Sequence, residues 1–295
     1  MKGGSAMKIE KISKIKGGRQ DGVICNGFLF SFNSQGVCTV YEMKALECMK
    51  DGEAEIFSEF VLDKNDLLTP HSNSVVFGNE YYDKKDEFPL LYTNIYNNYS
   101  NSDDRLKGVC LVYRLQRFGR DFVTTLVQMI EIGFVENDAL WKSSGEKEDV
   151  RPYGNFVIDK ENSMYYAFTM RDDSRSTRFF TFKLPKVNEG KVNTKYNVKR
   201  VTLKENDILD WFDCEYQHYM QGVCYYKGKI YSLEGFTDSF ENPPAISVID
   251  IELRKRVCFT EFKELGTNVE PEMIDFEEDI CYYTDHNGNM YKLFF

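Results

Sequence analysis

A chain of 295 residues that is all β, closing as a five-bladed β-propeller, is what this sequence predicts. Three observations carry the prediction. The stretch GVCYYKGKIYSLEG at 222–235, continued by AISVIDIELRKRVCF at 245–259, is echoed by DGVICNGFLFSFNSQGVCTVYEMKALEC at 21–48. Each has a Gly-Val pair, an apolar run, a turn carrying Gly228 or Gly27, a second apolar run, and a third that ends in a polar turn. That order is a β-meander. Aromatic residues are 15% of the chain, and aromatic side chains suit a pleated surface. Units of this kind recur at a mean of roughly 59 residues, long for a four-stranded blade. A six-bladed ring and a β-sandwich of irregular meanders are the alternative architectures.

Taken in order, residues 1–7 read as a leader or tag-like segment and 8–295 as one propeller domain. Residues 8–15, with Ile9, Ile12 and Ile15, read as a strand without a neighbouring partner. The first unit places strands at 22–25, 28–32, 37–43 and 55–62, turning through Asn26-Gly27 and Gln35-Gly36, where Gly accepts the positive φ of a hairpin. The second places them at 74–77, 89–95, 108–115 and 124–132, with the polar loop 97–105 as an exposed tip. The third follows the charged connector SSGEKEDVRP, with strands at 155–159, 164–171, 177–184 and 199–203. Residues 206–212, NDILDWF, read as a helical turn capped by Asn206. The fourth unit is the 222–258 meander. The fifth has only three strands, at 273–276, 280–284 and 289–295, with a hairpin through Asp285, His286, Asn287 and Gly288. The orphan strand at 8–15 completes it and closes the ring.

The net charge of −10 opposes approach to a polyanion, so nucleic acid is excluded as a partner. The acidic surface otherwise reads as a device for solubility. Eight Cys show no Cys-x-x-Cys pair and no His at zinc-ligand spacing. They read as small buried hydrophobes, which points to a reducing compartment. The N-terminal residues lack the apolar core of a signal peptide, and no run has the length of a membrane-spanning helix. As written the chain is expected to be a cytoplasmic monomer without membrane contact, and secreted or periplasmic if a signal once preceded Met7.

In a propeller the innermost strand of each blade begins beside the central channel on one face, so residues just before those strands converge. Here they are Gln20 and Asp21; His71, Ser72 and Asn73; Asp149, Arg151 and Tyr153; His218, Tyr219 and Gln221; and Glu270 and Glu272. His71, Asn73, Arg151, Tyr153, His218 and Gln221 are the candidate ligand-binding set, Arg151 taking a carboxylate or phosphate and Tyr stacking on a sugar or ring. The competing reading is that a channel mouth is polar because water fills it. Asp21 and Glu272 are the candidate catalytic acid and base, since glycoside hydrolysis needs two carboxyl groups. No residue is assigned to a metal, although a divalent cation could sit on Asp21, Asn73 and Glu272, or a transition metal on His71 and His218. His286 reads as a turn residue, and Trp141 and Trp211 as connector aromatics at a partner site or over a core edge. The run GVCYYKGK is not a phosphate loop, and no Gly-x-Ser-x-Gly elbow exists.

The meander resembles blades of the NHL-like and plant-type glutaminyl cyclotransferase groups, through Gln221-Gly222 and the run Ser247, Val248, Ile249, Asp250, Ile251. The segment HSNSVVFGNEYYDKKDEFPLLYTN resembles bacterial propeller proteins with no assigned activity. The resemblance implies the fold and carries over no catalytic residue. The expected function is binding of a small polar molecule, glycan or peptide at the channel mouth. The alternatives are a carbohydrate-active hydrolase or lyase, a cyclotransferase, and a protein-interaction scaffold centred on 97–105.

Overall fold

The computed structural model describes residues 7–49, 52–68, 70–95, 109–132, 151–171, 176–215 and 219–295, with backbone only at 151–154 and 169–171. Five antiparallel meanders follow one another along the chain. Blade 1 is β2 (Gly22–Cys25), β3 (Phe28–Phe32), β4 (Val37–Glu42) and β5 (Ser58–Val61). Blade 2 is β6 (Val75–Phe77), β7 (Leu91–Ile95), β8 (Val109–Phe118) and β9 (Asp121–Ile132). Blade 3 is β10 (Arg151–Asp159), β11 (Met164–Arg171), β12 (Ser176–Lys183) and β15 (Asp210–Glu215). Blade 4 is β16 (Met220–Tyr226), β17 (Lys229–Glu234), β18 (Ala245–Asp250) and β19 (Lys255–Glu261). Blade 5 is β20 (Pro271–Glu277), β21 (Ile280–Asp285) and β22 (Asn289–Phe294), with β1 (Lys8–Lys14) on its outer edge.

The closing strand behaves as its sequence position demands. β1 pairs antiparallel with β22 from Lys8 opposite Phe294 to Lys14 opposite Asn289. The seal is tight where β1 ends, because the Ile15 amide bonds the Gly288 carbonyl at 2.8 Å and a Cβ on Gly288 would stand 2.3 Å from the Ile15 carbonyl oxygen. The two echoed hairpins also match. Asn26 and Gly27, and likewise Lys227 and Gly228, all have positive φ, the conformation of a two-residue turn whose twist suits the strands it joins.

Two elements differ from the sequence reading. Residues 199–203 belong to β14 (Val198–Leu203), which leaves blade 3 and pairs in parallel with β9 of blade 2, followed outward by β13 (Lys191–Asn193). The outer strand of blade 3 is instead β15, drawn from the stretch read as helical. Its alternation explains this: Phe212 and Cys214 are buried while Asp210, Trp211, Asp213 and Glu215 are exposed, a period of two. Phe212 then stacks on Phe179 with ring centroids 5.0 Å apart. Only Glu205–Asp207 keeps a helical turn. A six-residue helix, α1 (Met43–Cys48), follows β4 directly and buries Met43 and Leu46.

The core lies between blades. Among the described residues the buried apolar side chains fall into clusters that coincide with the five seams: blades 1 and 2, 2 and 3, 3 and 4, 4 and 5, and 5 and 1. Neighbours on one strand serve different seams, Leu29 facing blade 5 and Phe30 facing blade 2, because successive side chains point to opposite faces of a strand. Strands sandwiched on both faces must therefore read as continuous apolar runs, as FLF and VCLVY do. All eight cysteines are free, five of them buried.

Candidate functional site

Near the channel each seam carries a polar link. Asp21 of blade 1 accepts the Val75 amide of blade 2 at 3.0 Å and the Gly22 amide at 2.8 Å. Asn94 Nδ2 donates to Asn73 Oδ1 at 2.6 Å and across the next seam to Asn155 Oδ1 at 2.9 Å. The Tyr225 hydroxyl of blade 4 donates to Asp159 of blade 3 at 2.9 Å. Gln221 Nε2 donates to Glu270 Oε1 at 2.7 Å, joining blades 4 and 5. Asp275 of blade 5 accepts the Ile24 amide of blade 1 at 2.8 Å. The Asp21 and Asp275 links satisfy inner-strand amides that would otherwise be buried without a partner, and the other three pair buried or part-buried side chains.

The channel end where the innermost strands begin is shaped by β-bulges. In β20 the register slips between Pro271 and Met273, which inserts Glu272; in β16 it slips between Met220 and Val223, around Gln221 and Gly222. A bulge re-aims a side chain and leaves it outside the ladder. Gly222 is required beside it, since a Cβ there would lie 2.3 Å from the Glu272 carbonyl oxygen. Strands β20 and β21 are antiparallel, so the turn after β21 returns to the same end as Glu272. There His286 Nδ1 meets Glu272 Oε1 at 2.8 Å, and the His286 amide bonds the Glu270 carbonyl at 2.8 Å.

Glu272 is 3% exposed, whereas the His286 side chain is 62% exposed. Burial, reinforced by the nearby charges of Glu270, Asp21 and Asp285 and opposed by Arg19, pushes the Glu272 carboxyl up to about 10. Burial also raises Glu270, with His286 pulling the other way. One ligand atom from each of Glu270, Glu272 and His286 lies within 4.8 Å of the others. Gln20 Nε2 donates to Glu272 Oε2 at 3.4 Å. Gln221 Nε2 also donates to the Gly235 carbonyl at 3.0 Å, the Thr237 hydroxyl accepts the Glu270 amide at 2.9 Å, and Phe236 between them packs on Tyr219 with ring centroids 4.5 Å apart.

The structure brings Glu272 and Gln221 of the sequence-derived candidates into this cluster. Asp21 lies beside it, but both its oxygens are engaged by backbone amides, and burial raises its carboxyl well above the usual range. Asn73 belongs to the asparagine link of blades 2 and 3. His71 is half-buried, and burial lowers its imidazole. Arg151 and Tyr153 lie on β10, whose backbone alone is described there. His218, Asp149, Trp141 and the loop 97–105 lie outside the described residues. Trp211 lies on β15 beneath the Arg178 guanidinium, 4.2 Å from its ring centroid. His286 is the functional candidate that strand starts alone miss, while Glu270 is among the strand starts but is assigned no role there; the signal for His286 is that turns between second and third strands share the mouth.

No family model matches the chain, and no curated protein matches it. Many solved structures are similar, and two of them align along nearly the whole length. The glutaminyl cyclase of Myxococcus xanthus is similar over 97% of this chain and 98% of its own, with 10% identity and a TM-score of 0.48. The computationally designed protein Ika8 is similar over 97% and 99%, with 8% identity and a TM-score of 0.36. The chain is a five-bladed β-propeller. Its sheet order, register and strand closure carry that statement, and the role of the propeller's mouth is argued from its own residues.

Proposed function

We propose that the protein binds a small polar ligand at the channel mouth between blades 4, 5 and 1, with Glu270, Glu272, His286 and Gln221 as contacting groups and Tyr219 with Phe236 as an aromatic wall. The observation that supports this reading is the bulge that sets Glu272 into a buried position whose hydrogen bonds come from side chains, His286 and Gln20. A carboxyl held this way can exchange partners when a ligand arrives. One fixed by two backbone amides cannot do so without opening the sheet.

The test is a thermal-shift series of wild type, Glu272→Gln and Glu270→Gln against sugars, amino acids and short peptides. A ligand that binds only the folded chain stabilises it by about 2.7 kcal/mol at a hundredfold excess over Kd. Stabilisation in wild type that is lost in both variants is the expected outcome. Equal responses in all three, or none in any, would overturn the assignment.

A second reading, proton-transfer catalysis at the same place, is favoured by the value of about 10 for Glu272. An acid still protonated at neutral pH can protonate a leaving group, and the exposed imidazole beside it can return the proton from water. Hydrolase and cyclotransferase chemistry both need such a donor. Turnover of any ligand found in the thermal series, with kcat in Glu272→Gln falling further than the loss of binding accounts for, is the outcome that selects catalysis.

A further inference from the structure

We infer that Glu270, Glu272 and His286 form a three-ligand site for a divalent transition-metal cation, with coordination positions left open at the channel mouth. The inference rests on the mouth being the functional site and names what anchors a ligand there. The donor set is an imidazole nitrogen with two carboxylate oxygens, a mixture suited to zinc, cobalt or manganese rather than to calcium or magnesium, which prefer oxygen alone. The spacing suits it too. Tetrahedral zinc, with bonds of about 2.0–2.1 Å, separates its donors by roughly 3.3 Å, and here one donor atom of each residue lies within 4.8 Å of the others, Nδ1 and Oε1 being hydrogen-bonded at 2.8 Å and needing to part slightly to admit a cation.

The surroundings are arranged as an outer shell. Gln221 holds Oε1 of Glu270, leaving its other oxygen for a cation, and Gln20 holds Oε2 of Glu272, whose Oε1 would exchange its bond to His286 Nδ1, and its proton, for the cation. The His286 amide, bonded to the Glu270 carbonyl, fixes the turn against the strand. Outer partners of this kind orient metal ligands and tune affinity by about 10–100-fold. Three protein donors with an open fourth position is also the arrangement that lets a bound ion polarise a ligand or water. The three residues come from two separate backbone segments locked together, so the site exists before any cation enters.

The experiment titrates the full chain, stripped with chelator and carrying Cys48→Ser to remove the exposed thiol, with Co²⁺ and Zn²⁺. Visible absorption follows cobalt and calorimetry follows zinc. Expected are one equivalent bound and at least tenfold weaker binding in both His286→Ala and Glu270→Gln, with the metal-free melting of each variant measured alongside so that a loss of ligation is told from a loss of fold. No saturable uptake, uptake unaffected by both substitutions, or uptake matched by Ca²⁺ and Mg²⁺ would each overturn the inference. Repeating the ligand series on stripped and loaded protein separates the two readings. Ligand binding without metal uptake sinks only the cation site, and metal uptake without any ligand response sinks only the ligand-binding function.

Discussion

Blade 1 and blade 5 each begin with a buried carboxyl beside the channel, and the two are held in opposite ways. Asp21 is clasped by the amides of Gly22 and Val75; Glu272 sits on a bulge and is met by His286 and Gln20. Burial raises both. The difference teaches that burial and an altered proton affinity do not by themselves mark a functional acid. What matters is whether the bonding partners are main chain, which must stay, or side chains, which can yield.

The sharpest way to break the comparison is Asp21→Ala. It leaves two buried amides without acceptors, at ~1–3 kcal/mol each, so a loss of about 2–6 kcal/mol in urea unfolding is expected. Retained stability would make Asp21 as dispensable to the fold as Glu272 and would erase the distinction. Next in size is Gly222→Ala. Its Cβ would meet the Glu272 carbonyl at 2.3 Å, and overpacking of this kind costs ~1–3 kcal/mol. Ligand response should fall with it, since the bulge that places Glu272 is what must move. Full ligand response in a destabilised Gly222→Ala would show that the bulge does not set the site.

Much of the fold was legible because its physics is local. The Asn-Gly and Lys-Gly turns, the apolar runs sandwiched between blades and the count of three strands in the last unit led to five blades closed by a strand at 8–15, observed at Lys8–Lys14. The exchange of 199–203 for 210–215 was not legible, because both are short segments of mixed polarity and the choice depends on the free edge of β9, a long strand of blade 2. The site was half legible. Strand starts pointed to Gln221, Glu270 and Glu272, but His286 was read as a turn residue, which it is, and its arrival beside Glu272 follows only when the second strand is traced back to the mouth. Bulges leave no sequence signature here beyond Gly222, so the feature that distinguishes Glu272 from Asp21 could not be foreseen.

The gentlest perturbation, Glu272→Gln, tests the other half of the comparison. The amide keeps the shape and removes an acid crowded by Glu270, Asp21 and Asp285, so stability at neutral pH should hold or rise by about 1 kcal/mol. The pH dependence is the more telling readout. The folded value of about 10 lies above the ordinary 4.5, so the folded chain keeps a proton that the unfolded chain has released throughout that interval. Stability from this group is therefore complete below about 4.5 and is lost as pH rises towards about 10. Urea midpoints of metal-free protein taken near pH 6 and near pH 9 should fall more steeply in wild type than in Glu272→Gln. Parallel slopes would mean that Glu272 is already ionised in the folded chain at neutral pH. The proton donor required by the catalytic reading would then be gone.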